Sequence, residues 1–148
     1  MVDIENWSVA TDALLLATQL TDSVHEGVTR RGFTDIRPAH GFAFARISAG
    51  DATIADLAEY LGVTKQAAAQ FVQHLEERGY VTRKAHPLDA RASLLALTER
   101  GVACTVAAQE AASEAVERWR AALGENQFRQ LQRALRAIVR PGPLRPNW

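Results

Sequence analysis

The chain has 148 residues, of which 47% are apolar, and it carries 17 basic and 17 acidic side chains. A chain of this length can bury a core that is stable without a metal ion or a disulfide, so we expect a single domain. The one cysteine excludes an internal disulfide, and no Cys or His spacing is typical of a zinc site. The apolar stretches are short and no signal peptide is recognisable, so we expect a cytoplasmic protein without a membrane span or a cofactor.

A net charge of zero, taken alone, argues against a strongly basic nucleic-acid-binding protein. The charges are unevenly distributed, however. Residues 1–63 carry four basic and nine acidic side chains, and residues 101–120 carry two and three. Residues 64–100 carry six basic and four acidic side chains, and residues 121–148 carry five and one. Neutrality therefore results from cancellation between an acidic N-terminal part and two basic segments.

Hydrophobic periodicity predicts a long first helix, because apolar residues recur at spacings of three and four from Trp7 to Val28. Gly32 ends this helix. Pro38 suits the first turn of a second helix that runs to about Ser48. The residues of this helix that we expect to face inward are Phe42, Ala45 and Ile47.

Two short helices follow, each with a predicted cap at its start. Thr53 is the expected N-cap of the third helix, and Asp56 three residues later completes a pattern close to a capping box. Gly62 ends that helix, Thr64 caps the fourth, and Gly79 ends the fourth. The positions expected to face inward are Ile54, Leu57, Ala58 and Leu61 on the third helix and Ala68, Phe71, Val72 and Leu75 on the fourth.

After the fourth helix the period changes from helical to extended. Residues 80–84 and 92–97 are the expected strands of a β-hairpin, and residues 86–90 have turn chemistry. Thr98 caps a long Ala-rich helix that ends at about Leu123. A last helix carries apolar residues at heptad spacing, and a Pro-Gly-Pro sequence stops it before a tail that we expect to be extended or disordered. The apolar residues of the last helix are Phe128, Leu131, Leu135 and Ile138.

The order short helix, tight turn, second helix and hairpin over residues 54–91 is typical of a winged helix-turn-helix. Two helices that cross at a steep angle need a small residue where their backbones approach, and Ala58 stands there. The turn between them needs positive φ, which Gly62 adopts without strain. Val63, Ala68 and Phe71 fill the apolar positions between the helices. The sequence thus predicts a mostly α (α+β) fold.

If the fourth helix lies in a DNA major groove, its outward positions face the base edges. Glutamine can pair with adenine, lysine with guanine, and an alanine methyl can contact thymine, so we expect an operator rich in A·T at the contacted positions. The hydroxyl or backbone N–H of Thr64 can bind a phosphate. The expected base-contacting residues are Lys65, Gln66, Ala69, Gln70 and Gln73.

The hairpin gathers cationic groups around one loop. Arg91 can enter a narrow minor groove, and Asp89 can hold the loop in shape by pairing with it. The other residues expected to contact DNA are Arg83, Lys84 and His86. The polar residues of the fourth helix have an alternative interpretation, because a polar helix face is usually only solvated. Arg91 with Asp89 is as readily structural as DNA-contacting, and His86 fits an exposed turn residue better than a switch.

Three segments give the sequence its resemblance to the MarR family of transcriptional regulators. They are residues 53–65, residues 74–83 and, above all, residues 89–101, where Asp-x-Arg is followed by Leu-Thr-x-x-Gly as in the wing signature of the family. The resemblance extends over nearly the whole chain. It implies a homodimer formed by N- and C-terminal helices, two winged domains on a roughly palindromic operator, and often a small ligand that loosens DNA binding.

On this basis we expect one MarR-like domain over residues 1–148. Residues 1–33 and 102–140 would form the dimerisation helices, residues 36–101 the winged helix-turn-helix, and residues 141–148 a tail. Recognition helices about 34 Å apart in a two-fold dimer would read half-sites one helical turn apart. Relatives often carry Arg or another strong polar reader where this chain has Gln70 and Gln73. The resemblance therefore implies the binding mode and leaves the target sequence open.

Other residues offer weaker signals. His40 and Phe44 could line a ligand pocket, although Phe42 and Phe44 fit a core better and His40 fits a partly exposed polar residue. Cys104 fits a buried, inert thiol, and the histidines have no partners at metal-ligand spacing. No set of nucleophile, base and acid can be assembled, so we expect no enzyme.

Two functions remain in view. The first is a sequence-specific DNA-binding regulator, a ligand-responsive repressor. The second is a winged-helix protein-interaction module that no longer binds DNA, which the zero net charge and the single cation early in the fourth helix favour. A salt-dependent affinity for double-stranded DNA distinguishes them.

Overall fold

A computed structural model describes Met1 and residues 3–145; the last three residues of the predicted tail, 146–148, lie outside the described residues. The helices and strands, in chain order, are α1 (Ile4–Arg30), α2 (Pro38–Ser48), α3 (Ile54–Leu61), α4 (Lys65–Glu77), β1 (Val81–Ala85), β2 (Ser93–Leu97), α5 (Glu99–Leu123) and α6 (Glu125–Ile138). This order confirms the mostly α fold with a winged helix-turn-helix. Among the described residues, no helix is both long and apolar enough to cross a lipid bilayer.

The chain divides into two compact units. One comprises Met1–Thr34 with Ala108–Ile138, and the other comprises Asp35–Ala107 with Val139–Trp148. Helix α5 begins in the second unit and continues into the first. The described end of the tail belongs to the second unit, where the Tyr60 hydroxyl of α3 donates to the Leu144 carbonyl at 2.6 Å.

The first unit is built on a close approach of α1 and α5. A Cβ at Gly27 would overlap the Cβ of Ala111, so only a glycine allows the two backbones to come this near. Arg31, just after α1, adds two ion pairs to α5, from Nε to Glu110 and from Nη2 to Glu114. The apolar pattern predicted this first helix from Trp7 onward. In the structure the helix begins at Ile4, because the Asp3 carboxylate accepts the backbone N–H groups of residues 5 and 6.

Much of the apolar stripe of α1 and α6 is uncovered within the first unit. Trp7 and Leu14 are each 66% exposed, and Ile138 is 74% exposed. Phe128 is an exception, because it is buried beneath the Arg120 guanidinium, which lies 4.3 Å from the ring centroid. A row of large exposed apolar side chains at helical spacing is costly in water unless another surface covers it.

The second unit packs α2, α3 and α4 against the hairpin. The inward face of α2 differs from the predicted one: Ala45 is exposed and Phe42 only partly buried. The buried residues of α2 are His40, Ala43, Phe44 and Ile47. These positions follow the i, i+3, i+4, i+7 spacing of one helix face, which the predicted set of 42, 45 and 47 did not.

The predicted caps of α3 and α4 are confirmed. Thr53 accepts the backbone N–H of Asp56 at 3.2 Å, and the Asp56 carboxylate accepts that of Thr53 at 2.8 Å. The bond from the Thr53 backbone lowers the pKa of Asp56. Gly62 has a φ of +70°, as the turn required, and Ala58 is buried between the helices.

The hairpin is antiparallel, with Val81 opposite Leu97 and Ala85 opposite Ser93. It gains an additional partner from the segment before α3, because the Leu95 backbone N–H donates to the Ala52 carbonyl at 2.8 Å. The pairing fastens β2 to the base of the helix-turn-helix.

Three segments of the second unit meet at the side chain of one buried tyrosine. The side chain of Tyr80, between α4 and β1, is fully buried, and its hydroxyl donates to Asp35 before α2. Arg100 at the start of α5 donates to both Asp35 oxygens at 3.2 Å and lies 4.5 Å from the Tyr80 ring centroid. The bond from Tyr80 lowers the pKa of Asp35, and burial raises the pKa of Tyr80 to about 12.

Gly101→Ala is expected to destabilise the protein. A Cβ at this position would overlap the Tyr80 carbonyl oxygen and press on Leu97, so we expect a loss of about 2–3 kcal/mol in the free energy of unfolding. Chemical denaturation measures it. The control is Gly41→Ala in α2, where a Cβ would meet no atom within 4 Å and where alanine should add about 0.5–1 kcal/mol. Equal effects of the two substitutions would contradict this account of Gly101.

Candidate nucleic-acid interface

Helix α4 has a buried apolar face and an exposed polar face. Ala68, Val72 and Leu75 are fully buried, so they fix the rotation of the helix against the core. The predicted base-contacting residues therefore face outward: Lys65, Gln66, Gln70 and Gln73 are exposed and Ala69 is partly buried. The direction in which they point was predictable from the helical period. Their contact with DNA remains a prediction.

These outward side chains are not equally free. Gln73 donates from Nε2 to Glu77 at 3.0 Å, so its amide is already engaged within α4. Within the described part of the chain, Lys65, Gln66 and Gln70 form no side-chain hydrogen bond. At the start of the helix, the Thr64 hydroxyl oxygen accepts the Ala67 N–H at 3.1 Å, which leaves the hydroxyl hydrogen available to a phosphate.

The β1–β2 hairpin is the wing of the winged helix-turn-helix, and two side chains stabilise its turn. His86 Nδ1 accepts the backbone N–H groups of Leu88 and Asp89, each at 3.1 Å. The Asp89 carboxylate accepts the backbone N–H of Arg91 at 2.9 Å. Asp89 therefore holds the loop in shape as expected, but its carboxylate bonds the backbone N–H of Arg91 and not the guanidinium. The Arg91 guanidinium forms no ion pair with the described residues.

The two cations of β1 also differ. Arg83 donates from Nε and Nη2 to the two carboxylate oxygens of Glu76, at 2.8 and 2.9 Å, and these bonds raise its pKa. Lys84 is exposed and has no ion-pair partner among the described residues. The sequence could not show that Arg83 points to α4, because Glu76 is seven residues away and lies on a different element.

His40 and Phe44 lie in the core. His40 is 4% exposed, so the expectation of a partly exposed residue was wrong: its Nδ1 accepts the Arg37 N–H at 2.8 Å and its ring contacts Phe71 and His74. Phe44 is 2% exposed and packs on Tyr80. Its place in the core is confirmed. Their role in binding a ligand stays a prediction.

Cys104 is buried, and burial raises the pKa of its thiol to about 11, as expected of an unreactive cysteine. The described residues contain no group of three or more His, Cys, Asp or Glu side chains that could hold a metal ion.

Comparison with known families shows what this region is similar to. Residues 32–92, from the end of α1 to the wing turn, match the family model described as MarR family. Over these residues the chain is similar to the MarR family. Among curated proteins, no sequence matches this chain.

Several solved structures share the MarR-type fold over most of their length. RV1404 from Mycobacterium tuberculosis is 27% identical with a TM-score of 0.76, and the match covers 88% of this chain and 90% of that one. Wild-type MarR from E. coli in its apo form is 20% identical with a TM-score of 0.73, covering 95% and 98%. Streptococcus pneumoniae FabT in complex with DNA is 22% identical with a TM-score of 0.70, covering 92% and 94%.

His40 is expected to make stability depend on pH. Burial, and next the nearby His74, lower its pKa from 6.5 to about 4 in the folded state, so the unfolded chain binds the proton more readily between these values. The free energy of unfolding should fall by about 2–3 kcal/mol as pH decreases through this window. Denaturation at several pH values measures this, and His40→Gln should lose that part of the dependence. Parallel curves for the two proteins would contradict the assignment.

Proposed function

We propose that the protein is a sequence-specific DNA-binding transcriptional regulator of the MarR type, a homodimer rather than an enzyme. The observation that carries the proposal is the outward face of α4, a polar face with unengaged amide and ammonium groups beside a wing whose Lys84 and Arg91 are unpaired within the described chain. The FabT structure in complex with DNA supports it by analogy of fold.

In this proposal α4 enters the major groove and the wing contacts the flanking backbone or minor groove. Gln70 is the strongest candidate for a base contact, because it is exposed and free to pair bidentately with adenine. Gln66 and Lys65 stand nearer the helix start, where Thr64 and the free N–H groups can bind a phosphate. Lys84 and Arg91 supply the cations of the wing.

The dimer in this proposal forms through residues 1–33 and 102–140, with residues 36–101 binding DNA and residues 141–148 as a tail. The exposed apolar row of α1 and α6, which includes Trp7, Leu14 and Ile138, supports this assignment because it needs a covering surface. A two-fold arrangement would place two copies of α4 on a roughly palindromic operator.

We further infer that the protein represses transcription by occupying its operator and that a small-molecule effector releases it. His40 and Phe44 support a route for such release, because His40 contacts Phe71 of α4 and Phe44 contacts Tyr80 at the end of that helix. A ligand that displaced either ring would shift the recognition helix.

Gln70→Ala and Arg91→Ala are expected to weaken DNA binding in different ways. On a duplex selected from genomic fragments, Gln70→Ala should cost about 1–3 kcal/mol and relax base preference, with little effect on a scrambled duplex. Arg91→Ala should weaken both duplexes and reduce the slope of log affinity against log salt by about one per subunit. Titrations by fluorescence anisotropy at several salt concentrations measure both.

The control is Ser48→Ala, at an exposed position at the end of α2 outside α4, the hairpin and the proposed dimer segments, which should leave both affinities unchanged. A wild-type protein without a salt-dependent affinity for any fragment would refute the DNA-binding proposal and favour the protein-interaction module.

Leu14→Glu is expected to dissociate the dimer, because it places a charge in the apolar row that the partner would cover. Sedimentation velocity at micromolar concentration should show a dimer for the wild type and a monomer for the variant. The control is Leu88→Glu at the wing turn, where the leucine is 91% exposed and the dimer should persist. A monomeric wild type, or an unchanged mass for Leu14→Glu, would count against this interface.

A further inference from the structure

The ion pair between Arg83 and Glu76 joins the wing to α4, the recognition helix of the proposed function. The guanidinium donates two parallel hydrogen bonds, at 2.8 and 2.9 Å, to the carboxylate in the last turn of α4. This fork geometry fixes direction as well as distance. We propose that Arg83 and Glu76 are positioning residues for DNA binding: Arg83 holds the wing at a set angle to α4 through Glu76 and is not itself a phosphate contact.

The packing of the hairpin explains why such a connection is needed. On β1 only Val81 is buried, and the next four residues of the strand are exposed. On β2, Leu95 is buried and its backbone is paired with Ala52, so that strand is also anchored at the edge that β1 does not occupy. Besides its pairing with β2, the middle of β1 is thus held to α4 by the side-chain link between Arg83 and Glu76.

Electrostatics also separates Arg83 from its neighbour. The Glu76 carboxylate neutralises the guanidinium, which reduces its attraction for a phosphate, whereas the adjacent Lys84 has no such partner in the described chain. Of these two neighbouring cations, Lys84 is the one available to a phosphate. Side chains of Arg83 and Glu76 are 39% and 28% exposed, so the pair is shielded only partly and remains accessible to mutation without opening the core.

The inference rests on the proposed DNA binding, and the two alternatives for Arg83 predict opposite signs for one substitution. If Arg83 contacts a phosphate, Glu76→Gln removes a competing negative charge and should tighten DNA binding. If Arg83 acts through Glu76, the same substitution loosens the wing and should weaken binding about fivefold, the upper range for one partly exposed ion pair. Loss of an acidic group near DNA reduces electrostatic repulsion, so weaker DNA binding by Glu76→Gln could not be attributed to the change in charge.

The experiment compares DNA affinity across several salt concentrations for the wild type, Glu76→Gln, Arg83→Gln and the exchanged pair Glu76→Arg with Arg83→Glu. We expect the two single variants to weaken binding about equally with an unchanged salt slope, and the exchanged pair to regain most of the affinity. The control Lys84→Gln should instead lower the salt slope by about one per subunit. Denaturation midpoints confirm that each variant is folded.

Tighter or unchanged binding by Glu76→Gln, or a reduced salt slope for Arg83→Gln with no recovery in the exchanged pair, would overturn the proposal. A second readout needs no DNA. Amide hydrogen exchange over residues 82–92 should become faster in both single variants than in the wild type, because the hairpin has lost its link to α4. Unchanged exchange there refutes the positioning role even if the wild type binds no DNA, which would separately refute the proposed function.

Discussion

The burial of Tyr80 is the constraint from which the arrangement of the second unit follows. Its ring fills the space between the end of α4, the hairpin and α2, and a buried phenol without a partner would cost about 1–3 kcal/mol. Asp35 accepts the hydroxyl hydrogen, and Arg100 Nη2 donates both to that carboxylate, at 3.2 Å, and to the Tyr80 hydroxyl oxygen, at 3.0 Å. Three chain segments distant in sequence thus meet at one polar contact at the edge of the apolar core.

Tyr80 also limits the size of the side chain that the start of α5 can carry next to it. The Tyr80 carbonyl accepts the Thr98 N–H at 3.0 Å, and the start of α5 runs so close to this carbonyl that position 101 has no room for a side chain. The Leu-Thr-x-x-Gly sequence therefore has a local physical reason, the sharp entry of the chain into α5. Because β1 leaves directly from Tyr80, the base of the wing is fixed by the contact that fixes α4.

Charge is distributed between two kinds of surface. The polar face of α4 and the wing keep a few unpaired cations among the described residues, while other cations are engaged by acidic neighbours, as Arg83 is by Glu76 and Arg31 by Glu114. A small local excess of positive charge gives weak non-specific attraction to a polyanion. The proposed dimer would therefore depend on fitting both half-sites of its operator at once, since two weak contacts on one dimer reinforce each other.

The sequence by itself determined the elements and much of the candidate site. Periodicity, caps at Thr53 and Thr64, and glycine at the turn gave the order of helices and the outward face of α4, because these signals act within one or two helical turns. Tertiary structure alone decided which charges are free. Arg83 was predicted to contact DNA, and only the tertiary structure shows that its guanidinium is bonded to Glu76 on α4. His40 was expected to be partly exposed, and it is buried because its ring packs on Phe71 of α4. Contacts between elements set burial and pairing, and no local pattern records which distant side chain will arrive.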